Sequence, residues 1–367
     1  QYQFIAGLEG TFGDGYDWDV FVNQGYRDRS DLDAQYSGDR LSNALGPSAD
    51  FDGDGMPECY QDINDPGTLI QGCVPLNMFG GGVVDRPTGD IIVDSVTPDM
   101  IDYVAVDLVD NYQTKQSLAG ASLTGANFEL PGGTLGWAVG YSYWKQEYTY
   151  RPDSAKVIGA ATGNVGAGTH GTLTNDAVYA EILAPVLDNL IVKGGLRYDE
   201  YDAFDGDWTW QLGVEWDVIE DLKLRGTGGT VFRAPTILEL FGGVVDSFPT
   251  YVDPCVPAAG QALPPGCDGV GVQLDNQVKA AVGGNPNLIP ETGETFTAGL
   301  VWTPSFGNHD FTATVDYWQI NLDDAISSLG VDYTLNACYV DQLQEFCDLI
   351  TRNDEGAITL VQDTNLN

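Results

Sequence analysis

The strongest constraint on this chain is a run of about ten amphipathic segments in hairpin order, each alternating apolar and polar residues. In one of them Trp208, Trp210, Leu212, Val214, Trp216 and Val218 take every second position, with Thr209, Gln211, Gly213, Glu215 and Asp217 between them. An extended strand sends successive side chains to opposite faces, so this segment has one aromatic, apolar face and one small, polar face. Hydrocarbon on one side and a water-filled or plugged lumen on the other would select that pattern. The fold class it indicates is all-β, an antiparallel transmembrane β-barrel.

The remaining segments repeat the theme. Residues 2–12 and 17–27 flank Gly13-Asp14-Gly15-Tyr16, and 112–126 and 134–150 flank Glu129-Leu130-Pro131-Gly132-Gly133. Further pairs are 176–187 with 189–201, 207–218 with 222–233, and 292–303 with 309–320, and an eleventh strand is expected to begin near Ala357. Short connections alternate with long ones at 28–111, 151–175, 234–291 and 322–356, with a short exception near 202–206. Outer-membrane barrels alternate in this way, with turns in the periplasm and loops outside. An open sheet edge is not tolerated in lipid, which argues for closure of a larger barrel. Within the first long loop, Thr97-Pro98-Asp99 followed by Met100, Ile101, Tyr103, Val104 and Leu108 reads as a short capped helix. No stretch approaches the roughly 18–20 apolar residues of a membrane helix, whereas a barrel strand needs only about 9–11.

Charge narrows the function. With 15 Lys and Arg against 54 Asp and Glu, the formal charge is -39, the opposite of a nucleic-acid binder, so no nucleic-acid partner is expected. Clustered carboxylates draw divalent cations as counter-ions. The string Asp50-Phe51-Asp52-Gly53-Asp54-Gly55 offers oxygen ligands at alternate positions and a glycine at the sixth, with Glu58 at the ninth. The twelfth position is Gln61, with Asp62 one residue late, so an EF-hand is not expected. A loop Ca²⁺ site from Asp50, Asp52, Asp54, Glu58 and Asp62 stands beside the plainer reading, an acidic turn. Acidic loop residues Asp246, Asp253 and Asp268, with Phe248 and Tyr251, are candidates for a cationic or flat ligand.

Six cysteines fall in three close pairs inside loop-like segments: Cys59 and Cys73, Cys255 and Cys267, Cys338 and Cys347. Even number and local pairing suggest disulfides and an oxidising compartment, although six cysteines permit fifteen connectivities. No CxxC spacing supports zinc. Catalysis has little support: G-x-S-x-G, Walker and His-Glu-x-x-His strings are missing from the sequence, and His170 sits alone in a Gly-rich loop and His309 in a turn.

Two strings give the chain a family likeness. One is Phe232-Arg233-Ala234-Pro235 followed by Glu239-Leu240-Phe241. The other is Asn285-Pro286-Asn287-Leu288-Ile289-Pro290-Glu291-Thr292. In this order, across one long loop, they resemble the β-barrel half of TonB-dependent outer-membrane receptors. Cys73-Val74-Pro75-Leu76-Asn77 with Phe79-Gly80-Gly81, then Thr97-Pro98, looks like the long loop of the Oar-like, large-loop branch. The likeness covers nearly the whole of residues 1–367. It implies a 22-stranded barrel, long extracellular loops at 28–111 and 234–291, and a plug domain and closing strands that this chain does not include. It further implies active uptake of a scarce bulky solute such as a siderophore or glycan fragment, without a required cofactor. The partners it implies are outer-membrane lipid, TonB acting through the N-terminal region, and a surface lipoprotein. Two other classes stay open, a passive porin and a secreted calcium-stabilised β adhesin or lectin. For Arg233 the favoured role is structural: Pro235 has no amide hydrogen to give a ladder, so the strand stops there. Contact with ligand or plug is the alternative.

Overall fold

The computed structural model describes residues 1–13, 15–54, 56–78, 83–84, 91–93, 96–256, 262–267, 275–307 and 309–367. Asp14, Gly55, Phe79-Gly80-Gly81 and Asp268, all singled out in the sequence, lie outside the described residues. Ten long strands form one sheet: β1 (Tyr2–Phe12), β2 (Tyr16–Tyr36), β3 (Ala105–Leu130), β4 (Gly133–Arg151), β5 (Thr169–Leu187), β6 (Leu190–Tyr201), β7 (Asp207–Ile219), β8 (Leu222–Arg233), β9 (Glu291–Trp302) and β10 (Ala313–Asp323). Each strand is hydrogen-bonded to its neighbour in this order.

Register explains the alternation. Leu190, Trp216, Leu224, Leu300 and Val315 are matched across five strands, one apolar row. The row of opposite parity contains Lys193, Gly213, Thr227 and Thr297. Paired residues in an antiparallel ladder point the same way, so the sheet has one apolar and one polar face. Trp208, Trp210, Leu212 and Trp216 are large and exposed although no charge accompanies them, which is the surface that hydrocarbon covers. The polar face of β4 is lined by small residues for a steric reason. A Cβ on Gly140 would fall within about 2.3 Å of the Tyr179 ring, which lies across it.

β10 departs from the rule. Val315 and Tyr317 lie on the apolar face, yet Trp318 and Ile320 are in register with Thr297 and Thr295 on the polar face and are exposed there. The apolar side thus changes over between Tyr317 and Trp318.

Three expectations are corrected. The eleventh wall strand near Ala357 does not form: Ile358–Gln362 instead joins a separate four-stranded sheet with Val245–Ser247, Ala280–Val282 and Ile350–Arg352. Its pairing with Ala280–Ala281 is parallel, which a hairpin wall could not provide. The segment expected at 309–320 is broken, because His309–Asp310 pairs with Ser305–Phe306 in its own small hairpin. The first long loop is shorter than 28–111, since β2 runs on to Tyr36 and β3 begins at Ala105. Ser30 donating to Asn111 is one of the polar contacts that hold these extensions together.

The chain divides into two compact units, residues 1–28, 112–149 and 169–367, and residues 29–111 and 150–168. In the second unit helix α1 (Gly38–Leu45) is capped by Ser37, and α2 (Pro98–Val104) by Thr97, the helix start that the sequence indicated. Ala44, Tyr60, Val104, Leu108 and Ala161 are its buried apolar residues, and Cys59 is bonded to Cys73. A short helix, α3 (Ser154–Val157), puts Lys156 2.8 Å from Asp110 and 3.1 Å from Asp33.

Candidate functional site

In the first unit the loops after β8 and β10 fold together. The four-stranded sheet packs with helix α5 (Val331–Tyr339) around Val278, Ala280, Val331, Leu335, Ile358 and Val361. Disulfides Cys255–Cys267 and Cys338–Cys347 brace it, so all three pairs are local. Below them, Asp253 and Arg352 form a buried pair. Arg352 donates to both Asp253 oxygens at 2.7 and 2.9 Å, to the Tyr339 hydroxyl and to the Gly356 carbonyl. Burial opposes the charge on Arg352, but the Asp253 carboxylate outweighs it and holds the guanidinium above its ordinary pKa. This corrects the reading of Asp253 and Tyr251 as ligand contacts: the first is 1% exposed in its side chain and the second is core. Asp246 is likewise engaged, 2.8 Å from Lys279. Phe248 remains exposed.

Arg233 ties these loops to the strand ends. Its guanidinium reaches both oxygens of Glu291 at 2.6 and 2.7 Å and both oxygens of Glu239 at 3.2 and 3.0 Å. Glu239 belongs to helix α4 (Ile237–Phe241), where it and Thr236 form a capping box. Burial raises the Glu239 pKa, but Arg233 and the Thr236 amide prevail and leave it low. Glu291 also accepts from the Ile326 amide, just past β10. Thus one arginine joins β8, α4, β9 and the following loop. Pro235 is fully buried, and Ala234 links it to Arg233. Ile237 and Leu240 of α4 pack with Leu173 and Leu288.

The second string closes the same knot. The Asn285 amide donates to the Glu239 carbonyl, its side chain donates to Asn365, and it accepts from the Asn287 amide in an Asx-type turn. Gly284 is required here, because a Cβ would sit about 2.5 Å from the Gly242 nitrogen. Pro286 and Pro290 flank this turn and lead into Glu291, the first residue of β9. The sequence placed the two strings side by side in order; that they bond to each other through Arg233–Glu291 and Asn285–Glu239 was not legible, since the partners are 58 and 46 residues apart.

On the polar face of the wall, Glu181, Lys193, Gln211 and Thr227 line an open concavity of about 500 Å³. Lys193 and Lys223 both approach Glu215, and Arg225 reaches both oxygens of Asp316 at 2.8 Å. These exposed pairs contribute little stability, about 0–1 kcal/mol each. What they do is present alternating charge and hydrogen-bonding groups to whatever fills the lumen.

Of the five proposed calcium ligands, the fold gathers three. Asp50, Asp52 and Asp54 lie with their oxygens within 4.8 Å of one another, all exposed. Each also accepts a backbone amide, from Gly53, Asp54 and Met56 respectively. Glu58 is turned to the Tyr60 hydroxyl and Asp62 to the Asn64 amide, so neither joins the cluster.

Together the meander, its two-faced strands and the polar interior define an antiparallel transmembrane β-barrel wall. The family model for the β-barrel of TonB-dependent receptors ("TonB dependent receptor-like, beta-barrel") matches residues 1–359, and the chain belongs to that family, whose barrels lie in the outer membrane of Gram-negative bacteria. Among solved structures it is similar to the siderophore receptor PirA from Acinetobacter baumannii (13% identity, TM-score 0.47, covering 100% of this chain and 40% of that one). It is also similar to PirA from Pseudomonas aeruginosa (12%, TM-score 0.44, 100% and 50%). Among curated proteins, the vitamin B12 transporter BtuB of Vibrio vulnificus is 39% identical over 54 residues, 15% of this chain and 9% of that protein. The chain therefore spans half or less of the length of these relatives.

Proposed function

We propose that this chain forms wall and capture loops of a receptor that takes up a scarce bulky solute, a siderophore, glycan fragment or similar chelate, into the periplasm under the drive of TonB. The observation that carries the reading is the joining of a polar, charge-lined wall to a disulfide-braced loop module through Arg233. A passive pore has no use for so heavily built a rim, whereas a receptor that must hold a rare ligand needs ordered loops before binding, because loop ordering would otherwise weaken affinity. The stretch of likeness to a vitamin B12 transporter supports a metal chelate ahead of a glycan. The test is uptake by cells producing the whole receptor, offered a panel of radiolabelled ferric chelates, cobalamin and glycan fragments. Accumulation of one class, abolished by collapsing the proton gradient, is expected; gradient-independent leakage of all of them would refute it.

Calcium is part of the proposal for the first loop. The convergence of Asp50, Asp52 and Asp54 supports Ca²⁺ as the bound cation, with fewer protein ligands than first expected and water completing its usual six to eight oxygens. Calorimetry with Ca²⁺ should give heat that Asp52→Ala with Asp54→Ala removes. A surface lipoprotein is the proposed partner at the loops, supported by the exposed Tyr333 in α5 and Val340 just past its end. Co-purification lost on Tyr333→Ser would test it.

A further inference from the structure

The upper half of β10 turns large apolar side chains toward the lumen. Trp318, Ile320 and Leu322 are in register with Thr297, Thr295 and Gly293 of β9, all on the polar face, and each of the three is more than half exposed. The pleat fixes their side, so a strand bonded to the outer edge of β10 would leave them pointing the same way. Val231 of β8 meets Gly293 from the other flank and extends the apolar stretch across β9. The floor below is low and hydroxylic, with Gly229, Thr295 and Thr297 in the next positions. The stretch begins directly beneath the Arg233–Glu291 pair, since Glu291 stands two positions above Gly293 on the same face, and it ends at Asp316, which holds Arg225. Leu322 leads into Asp324, whose carbonyl accepts from the Asn367 side chain. A solute held by the loops after β8 and β10 therefore meets this face on its way in.

The charges around it select among solutes. On β6–β8 the lumen-facing cations are Lys193, Arg197, Lys223, Arg225 and Arg233, and each is paired with a carboxylate. The cations of the loop module are paired too, Lys279 with Asp246 and Arg352 with Asp253. Among the described residues of β5–β10 and their loops, every lysine and arginine is thus engaged. Carboxylates are in surplus. Arg233 is shared by Glu239 and Glu291, Lys223 lies between Glu215 and Asp217, and Glu181 and Asp207 face the lumen besides. An anion entering here leaves water without gaining a free cation, and it meets like charge.

We propose that Trp318, Ile320 and Leu322 receive a flat, apolar portion of the solute, and that the solute as a whole is uncharged or cationic, not a polyanionic chelate. The inference rests on the receptor reading and narrows its substrate class. The Trp318 ring offers a stacking surface, and Ile320 and Leu322 gain by shedding water against hydrocarbon or a second ring. Thr295 and Thr297 beside them supply hydroxyl groups that orient a polar edge without adding charge. Charge complementarity then decides which complexes reach this face, because a surplus of carboxylate draws cations and repels anions.

The test uses the intact receptor in neutral detergent and calorimetric titration with metal complexes of different charge: cyanocobalamin, uncharged overall, a cationic ferric trihydroxamate and a trianionic ferric tris-catecholate. The uncharged or the cationic complex should bind about tenfold or more tightly than the trianion. Trp318→Ala should weaken that binding about tenfold, the upper range for a ring contact, and Trp318→Phe should recover most of it. Tyr317→Ala, on the lipid side of the same strand, should leave it unchanged. Asp316→Asn frees Arg225 and should tighten the trianion severalfold, which an apolar contact alone would not give. Trp318 is exposed and the Arg225–Asp316 pair is about half exposed, so these variants keep the fold. Tightest binding of the trianion, no binding of the other two complexes, undiminished binding in Trp318→Ala, or no gain for the trianion in Asp316→Asn would each overturn the proposal. Accumulation of the trianion alone would leave the receptor reading standing, whereas absence of gradient-driven uptake for every solute would remove both.

Discussion

Arg233 and Glu291 face each other in the outermost register pair of β8 and β9, and two parallel hydrogen bonds join them. The fork geometry is specific to arginine. Arg233→Lys should therefore behave as a loss, leaving Glu291 with one contact and Glu239 with none from this side. Because the Arg233 side chain is 41% exposed, solvent screens part of the interaction, and about 1–2 kcal/mol is the expected local cost. Amide exchange in 236–241 and at Ile326 should accelerate while that of β6 and β7 holds. Unchanged exchange would show that the knot is held by apolar packing alone.

The Asp253–Arg352 pair is a harsher case. With both side chains nearly out of solvent, Asp253→Asn leaves a guanidinium without its counter-charge, which costs about 3–5 kcal/mol. Protease sensitivity should rise across 331–362 while the wall stays intact. Asp253→Asn combined with Arg352→Met should cost less than the sum of the two, since the second change removes the stranded charge.

Both relationships bear on what a sequence can disclose. The wall was legible because its code is local: Trp208 through Trp216 mark a lipid face at period two, without reference to any other strand. The loop module was not. Ile358–Gln362 alternates as a wall strand does, and only its parallel pairing with Ala280, 81 residues away from Val361, sets it apart. Asp253 read as a surface acid because nothing near it in the chain announces Arg352, 99 residues on. The disulfides were legible for the opposite reason, since their separations of 14, 12 and 9 residues are short. In β10 the alternation was visible, but not the change of side after Tyr317, where Gln319 takes the lipid-face position in register with Phe296.

Reduction should act on the loop module and spare the wall. A cross-link closing a loop of roughly 15 residues stabilises by about 3 kcal/mol in the chain-entropy account, and Cys255–Cys267 and Cys338–Cys347 close loops of comparable size. Cys338→Ser with Cys347→Ser should speed exchange in α5 and in Ile358–Gln362, with retained resistance of the barrel to detergent unfolding. Simultaneous loss of the barrel would mean that the wall depends on the module for its own stability.

The second unit should respond to pH at both ends. Asp153 accepts the Ala155 and Val109 amides, which hold its pKa below the ordinary carboxylate value. Its stabilisation is present above the unfolded value of about 4 and is lost as acid takes the pH down through the folded one. Lys156 is raised by Asp110 foremost, against burial and with help from Asp33. Its contribution is complete below the unfolded value of about 10.4 and disappears only as pH rises past the folded one. Residues 150–168 should accordingly resist proteolysis fully from about pH 5 to 10, weaken gradually on either side, and open only beyond the lowered Asp153 value in acid and the raised Lys156 value in alkali. Lys156→Met should remove the alkaline limit and, by stranding the nearly buried Asp110, weaken the segment at neutral pH; a variant as resistant as the parent at pH 7 would show that Asp110 is satisfied by Tyr150 and the Asp153 amide alone.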